Sequence, residues 1–210
     1  MGNLLHMGID IGSTTLKVAV LNNFQEIIYS KYERHYADIK KKLQQMLETL
    51  PKSFYQRNNQ FTAMITGSGG MNVADRSGIP FVQEVVAGSK AIKTFHPRTD
   101  VAIELGGEDA KITYFKNGVE QRMNGTCAGG TGSFIDQMAS LLKTDAAGLN
   151  ELAKNYRVIY PIAARCGVFA KTDVQPLLNE GVAREDIAIS IFQSVVIQTI
   201  SGLACGRPIR

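Results

Sequence analysis

The sequence predicts a pseudo-duplicated α/β protein, and two observations carry that prediction. The N-terminal stretch "HMGIDIGSTTLKVAVL" reads as two strands around a polar glycine turn, with alternating apolar positions on the second strand. From Asp100 onwards, "DVAIELGGEDAKITYFKNG" repeats the same order of strand, glycine turn and strand. Patterns with helical periodicity follow each copy. One arrangement of strands and helices is therefore expected to occur twice along the chain.

The first copy continues with a third strand and then with helices. After the turn "NNF", the stretch "QEIIYSKYER" is expected to form the third strand. A helix is expected from Asp38 to Tyr55, interrupted near Pro51, because apolar residues recur there at helical spacing: Ile39, Leu43, Met46, Leu47 and Leu50. The short strand "FTAMIT" follows and ends in "GSGG". The stretches "NVADRSG" and "VVAGSKAIKTF" then predict a short and a longer helix.

The second copy has its third strand at "VEQRMN", after a turn at Asn117 and Gly118. Helices are then expected at "SFIDQMASLL" and at "AAGLNELAKN", the latter with a cap at Thr144 and Asp145. A further short helix is expected at "KTDVQPLLNEG", with Pro176 in its first turn, where a missing N–H costs little.

A long helix is expected from about Arg184 to Leu203. Its apolar residues share one face: Ile187, Ile191, Val195 and Leu203. Glu185 and Asp186 lie in its first turn, where the helix dipole favours negative charge.

The two copies are expected to form two subdomains, 1–97 and 98–210. No linker-like or low-complexity segment separates them, so the restart of the motif near Pro97 to Asp100 sets the boundary. The final stretch "GLACGRPIR" contains no clear terminating element, which suggests that the chain is a part of a longer polypeptide.

The composition is ordinary for a soluble protein, with 210 residues, 44% hydrophobic and 20% charged. The net charge of +4 is scattered, and the basic run "IKKK" lies on an amphipathic helix pattern, so no nucleic-acid partner is expected.

No window approaches the roughly 20 apolar residues of a membrane span, and the N-terminus lacks signal-peptide features. We therefore expect no membrane association and a cytoplasmic location. The odd number of widely spaced cysteines fits a reducing compartment.

The turn in "DIGSTTLK" has the composition of an anion cradle. Small residues offer consecutive backbone N–H groups and hydroxyls in a tight turn: Gly12, Ser13, Thr14 and Thr15. Asp10 stands at the strand end as an acid that could orient Mg²⁺, and Lys17 could add a charge to a terminal phosphate. An ordinary polar hairpin turn would explain this stretch alone equally well.

The second copy, "ELGGEDAK", favours the cradle interpretation. It presents acids, glycines and a lysine in a similar order: Glu104, Gly106, Gly107, Glu108, Asp109 and Lys111. Two cradles with acids are what a nucleoside triphosphate needs on its two sides. The "GSGG" after "FTAMIT" could be a third nucleotide-facing turn, although a plain strand-to-helix connection is the simpler interpretation.

These two motifs resemble the phosphate-1 and phosphate-2 motifs of the actin, hexokinase and heat-shock-protein (ribonuclease H-like) ATPase fold, in which nucleotide lies between two duplicated subdomains. The stretches "MNGTCAGGTGSFIDQMASLL" and "RCGVFAKTDVQPLLNEG" narrow the resemblance to the activator ATPases of 2-hydroxyacyl-CoA dehydratases and the ATPase subunits of benzoyl-CoA reductase. The resemblance runs from Met7 to Arg210 and is strongest toward the long, multi-domain members. Proteins of this fold carry a further adenosine-binding segment, which is expected to be missing from this chain.

The resemblance implies a [4Fe–4S] cluster shared by a homodimer, with Cys127 and Cys166 as ligands from each chain. The loop after Cys127 would also reach the nucleotide phosphates through Gly129, Gly130 and Thr131. The helix after it would point its first N–H groups toward the anionic cluster. Cys205, within the apolar "SGLACG", is expected to be a small buried hydrophobe and no ligand.

The implied activity is an ATPase that uses ATP and Mg²⁺ to deliver one electron at low potential to an acyl-CoA dehydratase or reductase. Asp10 would hold Mg²⁺ through water, and Glu104, Glu108 or Asp109 would position the attacking water. Two other functions stay open: a small-molecule kinase of the same fold, and a non-catalytic interaction module of a larger redox protein. The scattered histidines form no metal-ligand spacing and are assigned no role: His6, His35 and His96.

Overall fold

The computed structural model describes residues 4–55, 59–116, 118–124, 130–163 and 167–209. The chain forms two compact units, Met1–Pro97 and Arg98–Arg210. Each unit has its own sheet and its own buried apolar clusters.

Among the described residues of the first unit, four strands form one sheet: β1 (Leu4–Ile11), β2 (Thr15–Leu21), β3 (Ile27–Arg34) and β4 (Gln60–Thr66). The order across the sheet is β3-β2-β1-β4. The pairs β1–β2 and β2–β3 are antiparallel, as predicted for successive hairpins, whereas β4 returns parallel to β1 after a helical crossover.

The alternation of residue types decides which face of this sheet is buried. Ile9 and Ile11 of β1 and Leu16 and Val18 of β2 point into the core. Asp10 of β1 is paired in register with Lys17 of β2, on the opposite face of the same strands. Burial of one face therefore places the acid and the lysine together on the other.

The first-unit helices are α1 (Ile39–Glu48), α2 (Gly70–Ser77) and α3 (Glu84–Phe95). α1 starts as predicted, with the Asp38 carboxylate accepting from the Lys41 N–H at 3.2 Å. The predicted interruption near Pro51 is confirmed: α1 ends at Glu48, because the residue before a proline disfavours helical geometry. A separate 3₁₀ turn, Lys52–Tyr55, completes the predicted segment.

The second unit has an antiparallel sheet in the order β5-β6-β7, within the described residues. Its strands are β5 (Val101–Leu105), β6 (Ala110–Tyr114) and β7 (Glu120–Met123), as the sequence predicts. Its helices are α4 (Gly132–Leu141), α5 (Ala146–Ala153), α6 (Gly167–Asn179) and α7 (Arg184–Thr199). The predicted cap of α5 is confirmed, because the Asp145 carboxylate accepts from the Gly148 N–H at 2.8 Å.

α6 differs from the prediction at both ends. It begins at Gly167, well before Lys171, so that Pro176 lies inside the helix and not in its first turn. The prediction was wrong because the proline was taken as a start signal. Here Pro176 lies in the interior of α6, so its missing N–H leaves the carbonyl of Thr172 without the usual helical donor.

α7 confirms the predicted apolar face, since Ile187, Ile191 and Val195 are all buried. A π-helical turn, Ile200–Ala204, extends it and buries Leu203. The continuous stretch Arg184–Ala204 has 21 residues and is apolar enough to pass the length and hydropathy test for a membrane span, contrary to the expectation that no window does so. Half of the apolar window is buried within the protein, which is also typical of a core helix.

The structure also corrects the predicted burial of Cys205. It is exposed, with φ at +48°, and its Sγ donates to the Gly202 carbonyl at 3.4 Å. The expectation of a buried hydrophobe was wrong because the wide π-helical turn ends at Ala204 and the chain leaves the apolar face there.

Candidate nucleotide-binding turns and cysteine-bearing loops

The first candidate turn joins β1 to β2. The Gly12 N–H donates to the Thr15 carbonyl at 2.9 Å and closes the turn. Thr15 is buried, whereas Ser13 at the tip is exposed. Gly12, Ser13, Thr14 and Thr15 thus form the tight polar turn that the sequence predicts, with the Ser13 hydroxyl facing solvent.

Asp10, directly before this turn, uses only one of its carboxylate oxygens within the described structure. Oδ2 accepts from Lys17 Nζ at 2.8 Å. Oδ1 is buried and has no hydrogen-bond partner among the described residues, and the same holds for Thr66 Oγ1, which is in register with Asp10 on the adjacent strand. A buried oxygen left unpaired costs free energy, so both atoms fit a site that a hydrated Mg²⁺ would complete.

The "GSGG" turn, Gly67 to Gly70, packs directly against the first candidate turn. It connects β4 to α2, as predicted, but its Gly69 N–H also donates to the Ile11 carbonyl at 2.8 Å. Gly67 has φ at +92°, and a β-carbon there would stand 2.4 Å from both Asp10 Oδ1 and the Ile11 carbonyl oxygen. Only glycine allows this approach, so the turn forms a wall beside the Asp10 carboxylate.

His35 also supports the first turn, which sequence reasoning missed. Its buried ring lies with Nε2 at 3.1 Å from the Gly12 carbonyl, and the Ala37 N–H donates to Nδ1 at 3.1 Å. Since Nδ1 accepts, the proton is on Nε2, which donates to Gly12. The sequence analysis gave His35 no role as a metal ligand and did not predict this contact. No local pattern around His35 indicates a contact with a turn so distant in sequence.

The second candidate turn joins β5 to β6. The Gly106 N–H donates to the Asp109 carbonyl at 2.7 Å, and a β-carbon on Gly106 would stand 2.5 Å from Asp109 Oδ1. Asp109 Oδ2 lies 3.4 Å from Nζ of the buried Lys111. Asn124 was not predicted as a site residue, yet its Oδ1 accepts from the Ala110 N–H at 2.8 Å and holds the end of the turn.

The acids of this turn have different surroundings. The carboxylate of Asp109 is turned back against Gly106 and Lys111. Glu104 is exposed and in register with Lys111 across the β5–β6 pair. Glu108 is exposed at the tip of the turn, and within the described part of the chain no hydrogen bond or ion pair holds its carboxylate.

The start of α4 is hydrogen-bonded to the second turn. The Gly132 N–H donates to the Gly106 carbonyl at 2.8 Å, and the Ser133 N–H donates to the Gly107 carbonyl at 2.9 Å. These two N–H groups therefore do not point at a cluster, contrary to the expectation for the helix that follows Cys127. They join the second turn to that helix instead.

Cys127, Gly129 and Cys166 lie outside the described residues. The structure describes the residues that flank them in the sequence. Gly130, with φ at +81°, and the fully buried Thr131 precede α4. Gly167 opens α6 so close to α4 that a β-carbon on it would stand 2.9 Å from Gln137 Oε1.

No group of three or more metal-ligating side chains occurs among the residues that the structure describes. Cys127 and Cys166, the predicted cluster ligands, are not among those residues. The chemistry of this donor set suits iron and sulfide, since thiolates are the usual ligands of such clusters.

Comparison with known proteins bears on the interpretation of these features. The 2-hydroxyisocaproyl-CoA dehydratase activator of Clostridioides difficile is 30% identical over 192 residues, which is 90% of this chain and 71% of that protein. The (R)-2-hydroxyglutaryl-CoA dehydratase activating ATPase of Acidaminococcus fermentans is 29% identical over 203 residues, 94% of this chain and 76% of that protein.

Two solved structures share the fold. Component A of the (R)-2-hydroxyglutaryl-CoA dehydratase of Acidaminococcus fermentans has a TM-score of 0.87 at 28% identity, over 99% of this chain and 80% of that one. The Clostridium difficile activator of 2-hydroxyisocaproyl-CoA dehydratase, with bound ADPNP, has a TM-score of 0.85 at 29% identity, over 98% and 77%. The predicted duplicated ATPase fold is confirmed. Residues 7–205 match the family described as BadF/BadG/BcrA/BcrD ATPase, and the chain belongs to this family.

Proposed function

We propose that this chain is an ATP-dependent activator that delivers a low-potential electron to an acyl-CoA dehydratase or reductase. Support comes from the relatives, three of which are named as activators of 2-hydroxyacyl-CoA dehydratases. One similar structure carries a bound ATP analogue. Cys205 is exposed and lies outside the two cysteine motifs, of Cys127 and Cys166, on which the proposal rests.

The observation that carries the proposal is the pair of hydrogen bonds between the second candidate turn and α4. The Gly106 and Gly107 carbonyls accept from Gly132 and Ser133 at 2.8 and 2.9 Å. A phosphate that displaced this turn would act on the start of α4 through these bonds. The two hydrogen bonds would therefore let the nucleotide act on a helix that begins five residues after Cys127 in the sequence.

Each of the two turns would contribute residues that bind the nucleotide. Asp10 Oδ1, which is buried and unpaired in the described structure, would hold a water of Mg²⁺, while Lys17 balances the other carboxylate oxygen. The remaining residues proposed to bind phosphates are Gly12, Ser13, Thr14, Thr15, Gly106, Gly107, Gly129, Gly130 and Thr131. Bound Mg²⁺ would neutralise charge on the phosphate oxygens during transfer to water.

Glu108 is the acid that we favour for positioning the attacking water. Asp109 is engaged with Lys111, and Glu104 faces Lys111 across the strand pair. Glu108 is exposed at the tip of the turn, so its carboxylate can accept a hydrogen bond from water without breaking an ion pair first.

Cys127 and Cys166 would each supply a thiolate, and a second copy of the chain would supply two more. A [4Fe–4S] cluster needs four thiolates, so a two-fold dimer satisfies it. Bound in this way, the cluster would accept and release one electron. The chain's own residues would set its surroundings through the flanking helices α4 and α6.

ATP could change the delivery of an electron only by binding one conformation of the dimer more tightly than the other. The coupling is reciprocal. If ATP raises the affinity of the chain for its partner by some factor, the partner should raise the affinity for ATP by that same factor. This gives a test of the dehydratase or reductase partner that does not depend on turnover.

The experiment is anaerobic reconstitution with iron and sulfide, followed by iron content per chain and the visible spectrum. We expect about two irons per chain in the wild type, and their loss in Cys127→Ala and in Cys166→Ala. Cys205→Ala is the matched control and should keep its iron. A colourless wild type that phosphorylates a small molecule would instead favour a kinase of this fold, and nucleotide or partner binding without turnover would favour an interaction module.

A further inference from the structure

One row of polar side chains runs along the otherwise apolar buried helix α7. Asp186, Ser190, Ser194 and Gln198 recur every four residues, which places them in one line on the helix surface. We call this line the α7 polar row. Its first three members are buried. Buried polar groups are costly unless they are hydrogen-bonded, so the row needs partners.

The partners are backbone groups of the segment from Arg157 to Ala163, which has no strand or helix of its own. Asp186 Oδ1 accepts from the Arg157 and Val158 N–H groups at 2.6 and 3.0 Å. Ser190 Oγ accepts from the Tyr160 N–H at 2.8 Å. In the absence of a neighbouring strand, side chains of α7 thus satisfy these backbone donors.

The segment is fixed again at its last residue. Ser194 Oγ donates to the Ala163 carbonyl at 3.4 Å, and Asp173 Oδ2 of α6 accepts from the Ala163 N–H at 2.7 Å. Gly167, at the start of α6, packs against Phe134 and Gln137 of α4. The chain is therefore anchored on both sides of Cys166.

The far end of the α7 polar row lies beside Gly130. A β-carbon on Gly130 would stand 3.2 Å from Gln198 Oε1 and 3.4 Å from Gln198 Cβ. Gly130 stands three residues after Cys127 in the sequence. From Asp186 to Gln198 the row is about 18 Å long, at the rise of an α-helix.

We propose that the α7 polar row is a positioning element that fixes the two cysteine-bearing loops relative to one another. One helix contacts the described flank of each loop, at Gly130 and in the segment that ends at Ala163, so α7 would set the separation of these flanks. The inference rests on the proposed function for its purpose, since a shared cluster requires a defined separation of thiolates. The positioning itself can be measured in the metal-free protein.

The test uses a Cys205→Ala chain with nitroxide spin labels on Cys127 and Cys166, diluted with unlabelled Cys127→Ala/Cys166→Ala/Cys205→Ala chain. The distance distribution between labels is measured by pulsed electron paramagnetic resonance. Ser190→Ala and Asp186→Ala are introduced separately. We expect each to broaden the distribution at least about twofold, because freed backbone donors release the segment that leads to Cys166.

Ser201→Ala is the matched control. The Ser201 hydroxyl donates to the carbonyl of Ile197, as Ser190 does to that of Asp186, but it is exposed and outside the row. It should leave the distribution unchanged. If Asp186→Ala does not fold, Ser190→Ala alone tests the proposal. Faster hydrogen exchange at the Tyr160 N–H would confirm that its hydrogen bond to Ser190 Oγ is lost.

An unchanged distribution in Ser190→Ala, with faster exchange at Tyr160, would overturn the proposal. A broadened distribution in a protein that never binds iron would support positioning by α7 and count against the proposed cluster instead. The two proposals can therefore fail separately.

Discussion

Gly67 lies so close to Asp10 that a β-carbon on the glycine would stand 2.4 Å from Asp10 Oδ1. The contact joins the end of β4 to the carboxylate proposed to hold hydrated Mg²⁺. It explains why a turn that only connects a strand to a helix must contain a glycine at this position.

Gly67→Ala is expected to displace the Asp10 carboxylate and lower the affinity for Mg²⁺–ATP by at least about tenfold, or 1.4 kcal/mol. Affinity for ATP without Mg²⁺ should change little. Titration calorimetry with and without Mg²⁺ measures both values.

Gly78→Ala provides the control for this change. Gly78 also has positive φ, at +69°, but nothing lies within 4 Å of a β-carbon there. Left-handed backbone strain should cost each variant about 1–2 kcal/mol of stability. Gly67→Ala should lose more than Gly78→Ala, because its β-carbon also meets the Ile11 carbonyl. Equal losses of Mg²⁺–ATP affinity in the two would refute the role of Gly67.

Asp10→Asn tests the carboxylate itself without changing its shape. The amide keeps an oxygen toward the turn but loses the charge that Mg²⁺ favours and the ion pair with Lys17. We expect weaker binding of Mg²⁺–ATP and an unchanged fold by circular dichroism. Affinity for Mg²⁺–ATP equal to that of the wild type would contradict the cradle interpretation.

His35→Phe is expected to loosen the first turn, because the Gly12 carbonyl loses its buried donor. At about 1 kcal/mol for one hydrogen bond, ATP affinity should fall roughly fivefold. His35→Gln, which can still donate, should restore part of the loss. His96→Phe, at an exposed position, should have no effect, and a comparable loss there would show that the measurement reports something other than the turn.

The stability of the second unit should depend on the ionisation of Asp186. Hydrogen bonds from the backbone N–H groups, first that of Arg157 and then that of Val158, lower the pKa of this carboxyl. A lowered pKa in the folded state adds stability at pH values above the unfolded-state pKa, which is about 3.9. That stability is lost as the pH falls through the lower, folded-state pKa.

Asp186→Asn should therefore be less stable than the wild type at neutral pH, and the difference should shrink as the pH falls below about 4. Urea unfolding over a pH series checks this. Asp75→Asn, at an exposed position on α2, is the comparison and should show no such convergence. A difference that stays constant down to the lowest pH would mean that the charge of Asp186 is not what stabilises the segment.

The strands, the two turns and most helices could be predicted because each depends on neighbours in sequence. Alternation along β1 and β2 places Ile9 and Ile11 on one face and therefore Asp10 on the other. Glycines after a strand end indicate the turns in the same local way. The apolar face of α7 follows from helical spacing alone, and burial of Ile187, Ile191 and Val195 confirms it.

The supports of the site were decided only by tertiary structure. Gly67 and His35 reach the first turn from distant parts of the chain, and the α7 polar row meets its backbone partners across a similar distance in sequence. Local patterns also failed where packing overrode them, at Pro176 within α6 and at the exposed Cys205. Periodicity records which side of an element is apolar, but it holds no information on which distant group will pack against a given atom. That pairing is settled by close packing and by the need to satisfy buried polar groups once the elements come together.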